Sequence, residues 1–120
     1  MLTLPTKKKW FDMILRGIKH EEYREIKPYY TTRLQGVIKD QDYELSLLSE
    51  EQFVMVYEVT ISLPFKVKFV NGYGNDKPYF IAEVSLTVDT GFADWGAEPE
   101  KEYYVLTIDK ILESGNIKEC

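Results

Sequence analysis

Cysteine and histidine are almost absent from this chain of 120 residues, which has one of each, Cys120 and His20. A lone cysteine excludes an internal disulfide and argues against any cysteine-based metal site. With a single histidine as well, the usual ligand set of a structural zinc site is missing. We therefore expect neither a metal ion nor a cofactor.

Long apolar runs are missing too. No stretch approaches the roughly 18 apolar residues of a membrane span, and the first ten residues, MLTLPTKKKW, lack the apolar core of a signal peptide. The sequence therefore predicts a cytoplasmic protein without a membrane partner. Its length predicts one domain over residues 1–120.

Aromatic residues, by contrast, are abundant: nine Tyr, six Phe and two Trp make up 14% of the chain. Aromatic and β-branched side chains favour strands, so we expect a core rich in β-structure.

Charge is unevenly distributed along the chain, whose net charge is -5. Residues 1–39 carry nine Lys or Arg and four acidic residues, whereas residues 40–120 carry six basic and sixteen acidic residues. Such asymmetry is typical of a protein that turns one side towards a polyanion. Chance and solubility also produce it, so both interpretations stay open.

The first third of the chain predicts two strands and two helices in alternation, the second strand beginning at Glu21 and ending before Pro28. MLTLP reads as a strand, and apolar residues then recur at helical spacing through Leu15. Thr6 is the expected N-cap of this helix, and Gly17 is placed to end it in a left-handed conformation. A second helix, PYYTTRLQ, is predicted from Pro28 to Gly36.

The remainder predicts mainly strands. Alternating or apolar segments span 53–61, 65–70, 78–88 and 103–112, whereas 37–52 fits either a loop or a helix. Late strands joined by short turns indicate an antiparallel sheet curled into a small barrel, with the early helices outside it. The expected fold class is α+β.

A dense cluster of opposite charges, GIKHEEYRE, occupies residues 17–25. Because side chains alternate along a strand, Glu22 and Arg24 project to one face, where they can pair with each other or face a ligand. Arg24 offers a planar fork to a phosphate or base edge, and Glu22 accepts hydrogen bonds. Lys19 precedes the strand and can reach over the same face.

The spacing Gly17, Lys19, Glu22 and Arg24 resembles the G-x-K-x-x-E-x-R signature of the ASCH domain family, of the PUA-like superfamily. VKFVNGYG (67–74) and DWGAEPEKEYYVLTIDKIL (94–112) are similar to later segments of its bacterial and phage members. The resemblance covers 2–36 and 65–112 and none of 37–64. It implies a small PUA-like β-barrel of mostly antiparallel strands, with two or more short helices.

The resemblance also implies a ligand, either RNA or a nucleoside or nucleotide. The expected binding residues surround one polar cleft: Lys19, Glu22, Arg24, Asn71, Tyr73 and Trp95. Aromatic rings with a few charges are what single-strand recognition requires. The sequence does not indicate an oligomeric state.

Two alternatives stay open. Some ASCH-like proteins are acetylcytidine amidohydrolases or ribonucleases, which would give Lys19 and Glu22 catalytic roles. Glu83 is a candidate for a further catalytic carboxylate only because it lies on the less apolar face of its predicted strand. In those amidohydrolases a catalytic threonine follows the lysine by three positions, where this chain has Glu22. In the other alternative, the charged residues serve only as a structural ion pair of an adaptor protein, with Phe92 and Trp95 as lids on the core.

Overall fold

A computed structural model describes residues 1–117; Cys120 lies outside this range. The fold is α+β, as expected. Five strands and three helices follow in the order β1 (Leu2–Pro5), α1 (Lys8–Leu15), β2 (Glu21–Arg24), α2 (Pro28–Ile38), α3 (Glu50–Val59), β3 (Phe65–Val70), β4 (Tyr79–Thr90) and β5 (Glu102–Gly115). Two short 3₁₀ turns span Glu44–Leu47 and Ala93–Trp95.

The strands form one open mixed sheet in the order β1-β3-β4-β5-β2. β1 runs parallel to β3, and the other three pairs are antiparallel. The predicted closure into a barrel is wrong for residues 1–117, because the short strands β1 and β2 occupy opposite edges and do not pair. Helices cover one face of the sheet instead.

Residues 53–61, predicted as a strand, belong mostly to helix α3. A capping box begins this helix: Ser49 Oγ accepts from the backbone N–H of Gln52, and Gln52 Oε1 accepts from the backbone N–H of Ser49. These reciprocal bonds satisfy two backbone donors at the helix start and favour helix over the strand-like composition. The helix also explains part of the open segment 37–52.

The first two helices differ from their predicted ends. The N-cap of α1 is Lys7 rather than Thr6, whose hydroxyl instead donates to the carbonyl of Leu4. α2 continues through Gly36 to Ile38. Gly17 has the predicted left-handed backbone, with φ of +74°.

The core lies between the three helices and one face of the sheet. Each helix contributes two large apolar side chains to it, and the central strands supply the rest: Phe11, Ile14, Leu34, Ile38, Phe53, Tyr57, Phe69, Phe80, Val84, Leu86, Tyr104 and Leu106. Strand register places Glu22 beside Leu106 and Arg24 beside Tyr104. Both charged residues therefore project to the helix-covered face, at its β2 edge.

A smaller cluster covers part of the other face, near β2. Ala97, from the connection between β4 and β5, packs there with Tyr103, Val105 and Tyr23. The connection therefore wraps the edge of the sheet and brings Trp95 close to the start of β2.

β5 extends well past the end of β2, its neighbour at the edge of the sheet. β2 pairs with β5 only over Tyr104–Thr107, and shifts in the β4–β5 register leave Asp109 and Leu112 as extra residues on β5. Within residues 1–117 no helix is long and apolar enough to cross a membrane.

Candidate functional site

The turn after α1 brings Lys19 under the edge of the sheet. With Gly17 in the left-handed region, the backbone N–H groups of Ile18 and Lys19 both donate to the carbonyl of Met13, at 2.9 and 3.1 Å. These bonds satisfy a carbonyl at the helix end and reverse the chain. Lys19 consequently points inward, and its side chain is fully buried.

Lys19, Glu22 and Arg24 form one charge cluster, called here the KER cluster. Lys19 Nζ lies 3.0 Å from Glu22 Oε1, and Arg24 Nη2 lies 3.3 Å from Glu22 Oε2. The backbone N–H of Tyr23 also donates to Glu22 Oε1, at 3.0 Å. One carboxylate oxygen is thus shared by two donors, while the other has a single protein donor and keeps the capacity to accept another.

The guanidinium of Arg24 ties β2 to the end of β1. Besides Glu22, it donates to the carbonyl of Pro5 at 3.0 Å and to Thr6 Oγ1 at 3.2 Å. Its Nε–H is buried and has no partner among the described residues. A buried donor without an acceptor is unfavourable, and this atom has almost no exposed surface of its own.

Burial and neighbouring charge act in opposite directions on the ammonium of Lys19. Burial lowers its pKa, and the neighbouring carboxylate of Glu22 opposes that shift. Its ammonium also donates to the carbonyl of Trp95 at 2.9 Å and lies 5.1 Å and 4.8 Å from the ring centres of Trp10 and Tyr23. Lys19 therefore holds Glu22 from behind.

A cavity of about 490 Å³ opens in front of the KER cluster. Glu22 and Arg24 line it, but Lys19 does not. The cavity combines five aromatic residues with basic residues at its rim and two further carboxylates: Trp10, Tyr23, Tyr30, Trp95, Tyr103, Lys7, Lys27, Lys101, Glu25 and Glu98. Its size suits a small organic ligand. Its floor offers a carboxylate acceptor beside a guanidinium donor.

The structure brings together only some of the residues predicted for the site. Trp95 lines the cavity, edge-on to Phe92 at 5.0 Å between ring centres, and Phe92 is itself exposed rather than a lid on the core. Asn71 is outside the cavity; its side chain donates to the carbonyl of Thr6 at 3.1 Å. Tyr73 lies beyond it, on the turn between β3 and β4, with 82% of its surface exposed.

Glu83 is remote from the KER cluster. It lies on β4 between Lys66 of β3 and Lys110 of β5. It alternates with the buried residues Ala82 and Val84, so it projects to the sheet face opposite Glu22. The structure does not unite the three residues considered for catalysis.

Several residues of the cavity wall are not predicted from the sequence, among them Thr6, Trp10, Tyr30 and Tyr103. Trp10 lies among the apolar residues that predict the first helix, and Tyr30 lies in the segment PYYTTRLQ that predicts the second. One sequence signal could have identified Trp10 and Tyr30: each lies near the start of a helix, close in sequence to a strand that borders the cavity. That proximity depends on β1 and β2 lying at the ends of a sheet whose order the sequence does not reveal.

Comparison with known proteins returned nothing: no family model, curated protein or solved structure matches the chain. Within residues 1–117 no group of three or more histidine, cysteine or acidic residues is arranged to hold a metal ion.

Proposed function

We propose that this chain is a binding module that accepts a nucleotide, free or within single-stranded RNA, in the cavity in front of the KER cluster. The observation that carries the proposal is that the guanidinium of Arg24 and the carboxylate of Glu22 line the same cavity wall, where Glu22 Oε2 keeps spare accepting capacity. Nucleobases present neighbouring donors and acceptors on one edge, which such a pair matches.

The aromatic wall supports a planar ligand. Trp10, Tyr30, Trp95 and Tyr103 surround the charged floor, and base–aromatic stacking contributes about 1–3 kcal/mol per base. Lys7, Lys27 and Lys101 at the rim offer positive charge to a phosphate. The resemblance to the ASCH domain family points to the same class of ligand, and membership of that family is part of the proposal. So is a cytoplasmic location.

The test is fluorescence anisotropy with a labelled pool of single-stranded RNA hexamers, across a salt series, with nucleoside monophosphates as competitors. Arg24→Lys keeps the positive charge but removes the planar fork. We expect it to weaken binding by at least roughly tenfold, since a hydrogen bond to a charged group contributes about 1.5–3 kcal/mol. Arg16→Lys, an exposed arginine outside the cavity, is the matched control and should bind like the unmodified protein.

Competition by a monophosphate and loss of affinity in Arg24→Lys alone would support the proposal. Thermal unfolding of both variants checks that they remain folded, so that a lower affinity reflects the lost contact and not an unfolded protein. Absence of binding at low salt, or equal affinity in both variants, would refute it.

A purely structural role is the second candidate, because the KER cluster joins separate parts of the chain. Arg24 reaches the end of β1, and Lys19 reaches the connection that contains Trp95. If this is its only role, Arg24→Lys lowers stability while the unmodified protein binds none of the probes. A hydrolase has less support, because Lys19 is walled off from the cavity and Glu83 faces the other side of the sheet.

A further inference from the structure

The cavity at the KER cluster continues into two smaller hollows along β1. The first of these, of about 340 Å³, shares Pro5, Arg24, Lys27 and Tyr30 with the cavity. The next, of about 300 Å³, shares Thr3, Pro5 and Tyr73 with the first. We call these two hollows together the β1 groove. Because the walls are shared, the cavity and the groove form one continuous depression.

The charge of the β1 groove is opposite to that of the protein. Although the chain has a net charge of -5, none of the described residues that line the groove is acidic. Four basic side chains line it, at two positions: Arg24 and Lys27 where it leaves the cavity, and Lys68 and Lys77 at its far end. Such a stripe on an acidic body attracts a polyanion.

Exposed aromatic rings lie between these two pairs of cations. Tyr73 is 82% exposed on a turn whose flanking glycines, Gly72 and Gly74, have φ of +106° and +111°. Tyr29, which also lines the groove, is 54% exposed, and the guanidinium of Arg33 stacks on its ring at 3.5 Å from the ring centre. Large exposed rings between cations are typical of surfaces that stack successive bases and contact the phosphates between them.

We propose that the β1 groove holds the strand that continues from a nucleotide bound in the cavity, so that the ligand is an extended single-stranded RNA rather than a free nucleotide. Arg24 and Lys27 contact the phosphate at the junction, Tyr29 and Tyr73 stack bases, and Lys68 and Lys77 contact a phosphate beyond them. This inference rests on the proposed function, since it takes the cavity as the site of the first nucleotide.

The test compares labelled RNAs of one, three and six nucleotides. Affinity is expected to rise with length, by roughly 5- to 150-fold for each base that gains a stacking partner. Tyr73→Ala should lower hexanucleotide affinity by the same order and leave mononucleotide affinity unchanged. Tyr43→Ala removes a comparably exposed tyrosine outside the groove and is the matched control.

The lysines are tested through salt dependence. For single strands, the slope of log K against log salt falls by roughly 0.7 for each lost phosphate contact. Lys68→Gln and Lys77→Gln should therefore flatten the slope for the hexanucleotide, whereas Lys110→Gln, on the sheet but outside the groove, should not.

Failure of this inference differs from failure of the proposed function. Length-independent affinity that is lost in Arg24→Lys would refute the groove and retain the cavity. Hexanucleotide binding that responds to Tyr73→Ala but not to Arg24→Lys would refute both the cavity as the first site and the continuous path drawn from it. Increasing affinity with length, sensitive to both residues, would support both.

Discussion

Lys19 and Glu22 form a buried ion pair: Nζ and Oε1 are 3.0 Å apart, and the side chains are 0% and 6% exposed. Glu22 is shared, because Arg24 contacts its other oxygen from the cavity side. Lys19 and Arg24, which belong to the same sequence motif, therefore have different roles. Lys19 fixes the carboxylate from behind, and Arg24 presents it to the cavity.

Lys19→Met should strongly destabilise the protein. It leaves Glu22 buried with one ionic partner fewer, and losing one member of a buried pair costs on the order of 3–5 kcal/mol. Urea unfolding measures the loss. Lys8→Met is the control, because it breaks the exposed Lys8–Asp12 pair, which contributes only about 0.2–1 kcal/mol. Equal losses in the two variants would contradict the ion pair described above.

Alkaline pH should destabilise the fold through its tyrosines. Burial is the main cause that raises the pKa of Tyr23, Tyr57 and Tyr104 above the usual 10.0. Above about pH 10 the unfolded chain therefore loses protons that the folded chain retains, and the free energy of unfolding falls as pH rises. The lowered pKa of Lys19 acts in the opposite direction, because deprotonation relieves the burial of its charge. The pKa of Tyr79 is raised as well, chiefly by its hydrogen bond to Glu113, so four tyrosines act against one lysine.

Tyr23→Phe isolates part of this effect. Tyr23 has the large shift, and its hydroxyl contacts Glu21 and the backbone N–H of Phe92. Urea unfolding between pH 9 and pH 12 should show a shallower decline for this variant than for the unmodified protein. Ultraviolet titration of tyrosinate reports whether Tyr23 stays protonated over that range. Identical declines would show that Tyr23 does not contribute.

Two glycines should respond to alanine in opposite directions. Gly36 lies inside α2 with no atom within 4 Å of an added Cβ, so Gly36→Ala should stabilise the protein by about 0.5–1 kcal/mol. Gly96 has φ of +101°, and an added Cβ would lie 2.9 Å from Trp10 Cζ2. Gly96→Ala should destabilise the protein by about 1–3 kcal/mol. Thermal unfolding of the pair checks both signs, and stabilisation by Gly96→Ala would contradict this packing.

The capping box of α3 should be measurable by itself. Ser49→Ala removes the acceptor for the Gln52 backbone N–H and should cost about 1 kcal/mol. Ser49→Asp retains an acceptor at the same position and should recover most of that loss. Urea unfolding followed by circular dichroism measures both variants. A fully stable Ser49→Ala protein would mean that packing of Phe53 and Tyr57 alone specifies the helix.

The elements that the sequence predicted well are those whose signals are local. Strands at 65–70, 78–88 and 103–112 are confirmed with small changes at their ends, and alternation correctly placed Glu22 and Arg24 on one face. Gly17 was likewise identified from its position after an amphipathic helix. Each of these inferences used only neighbouring residues.

The wrong predictions have two causes. In one, the local composition favours a strand but capping and packing favour a helix; in the other, the structure depends on contacts between residues far apart in sequence. Residues 53–61 have the β-branched and aromatic composition of a strand, but the cap at Ser49 and burial of Phe53 and Tyr57 select a helix. The cap could have been found, since serine followed by glutamine three positions later is its signature. The parallel pairing of β1 with β3 could not have been predicted from the sequence, because it joins residues more than sixty positions apart.

The same limit applies to the candidate site. The motif from Gly17 to Arg24 predicted the charged floor, whereas Trp10, Tyr30 and Tyr103 join it only through the order of the strands. Glu83 was considered because it lies on the more polar face of its strand. That face of the sheet is the one opposite Glu22 and the cavity.

The two extra residues on β5 have a consequence for the protein in concentrated solution. Beyond Ile108 this strand has no neighbour on its outer side within residues 1–117. A long, flat strand edge invites pairing with another molecule, and bulges interrupt the regular row of donors and acceptors that such pairing needs. Asp109 and Leu112 break that row twice within four residues. The irregular end of β5 therefore protects the protein from aggregating through its own sheet.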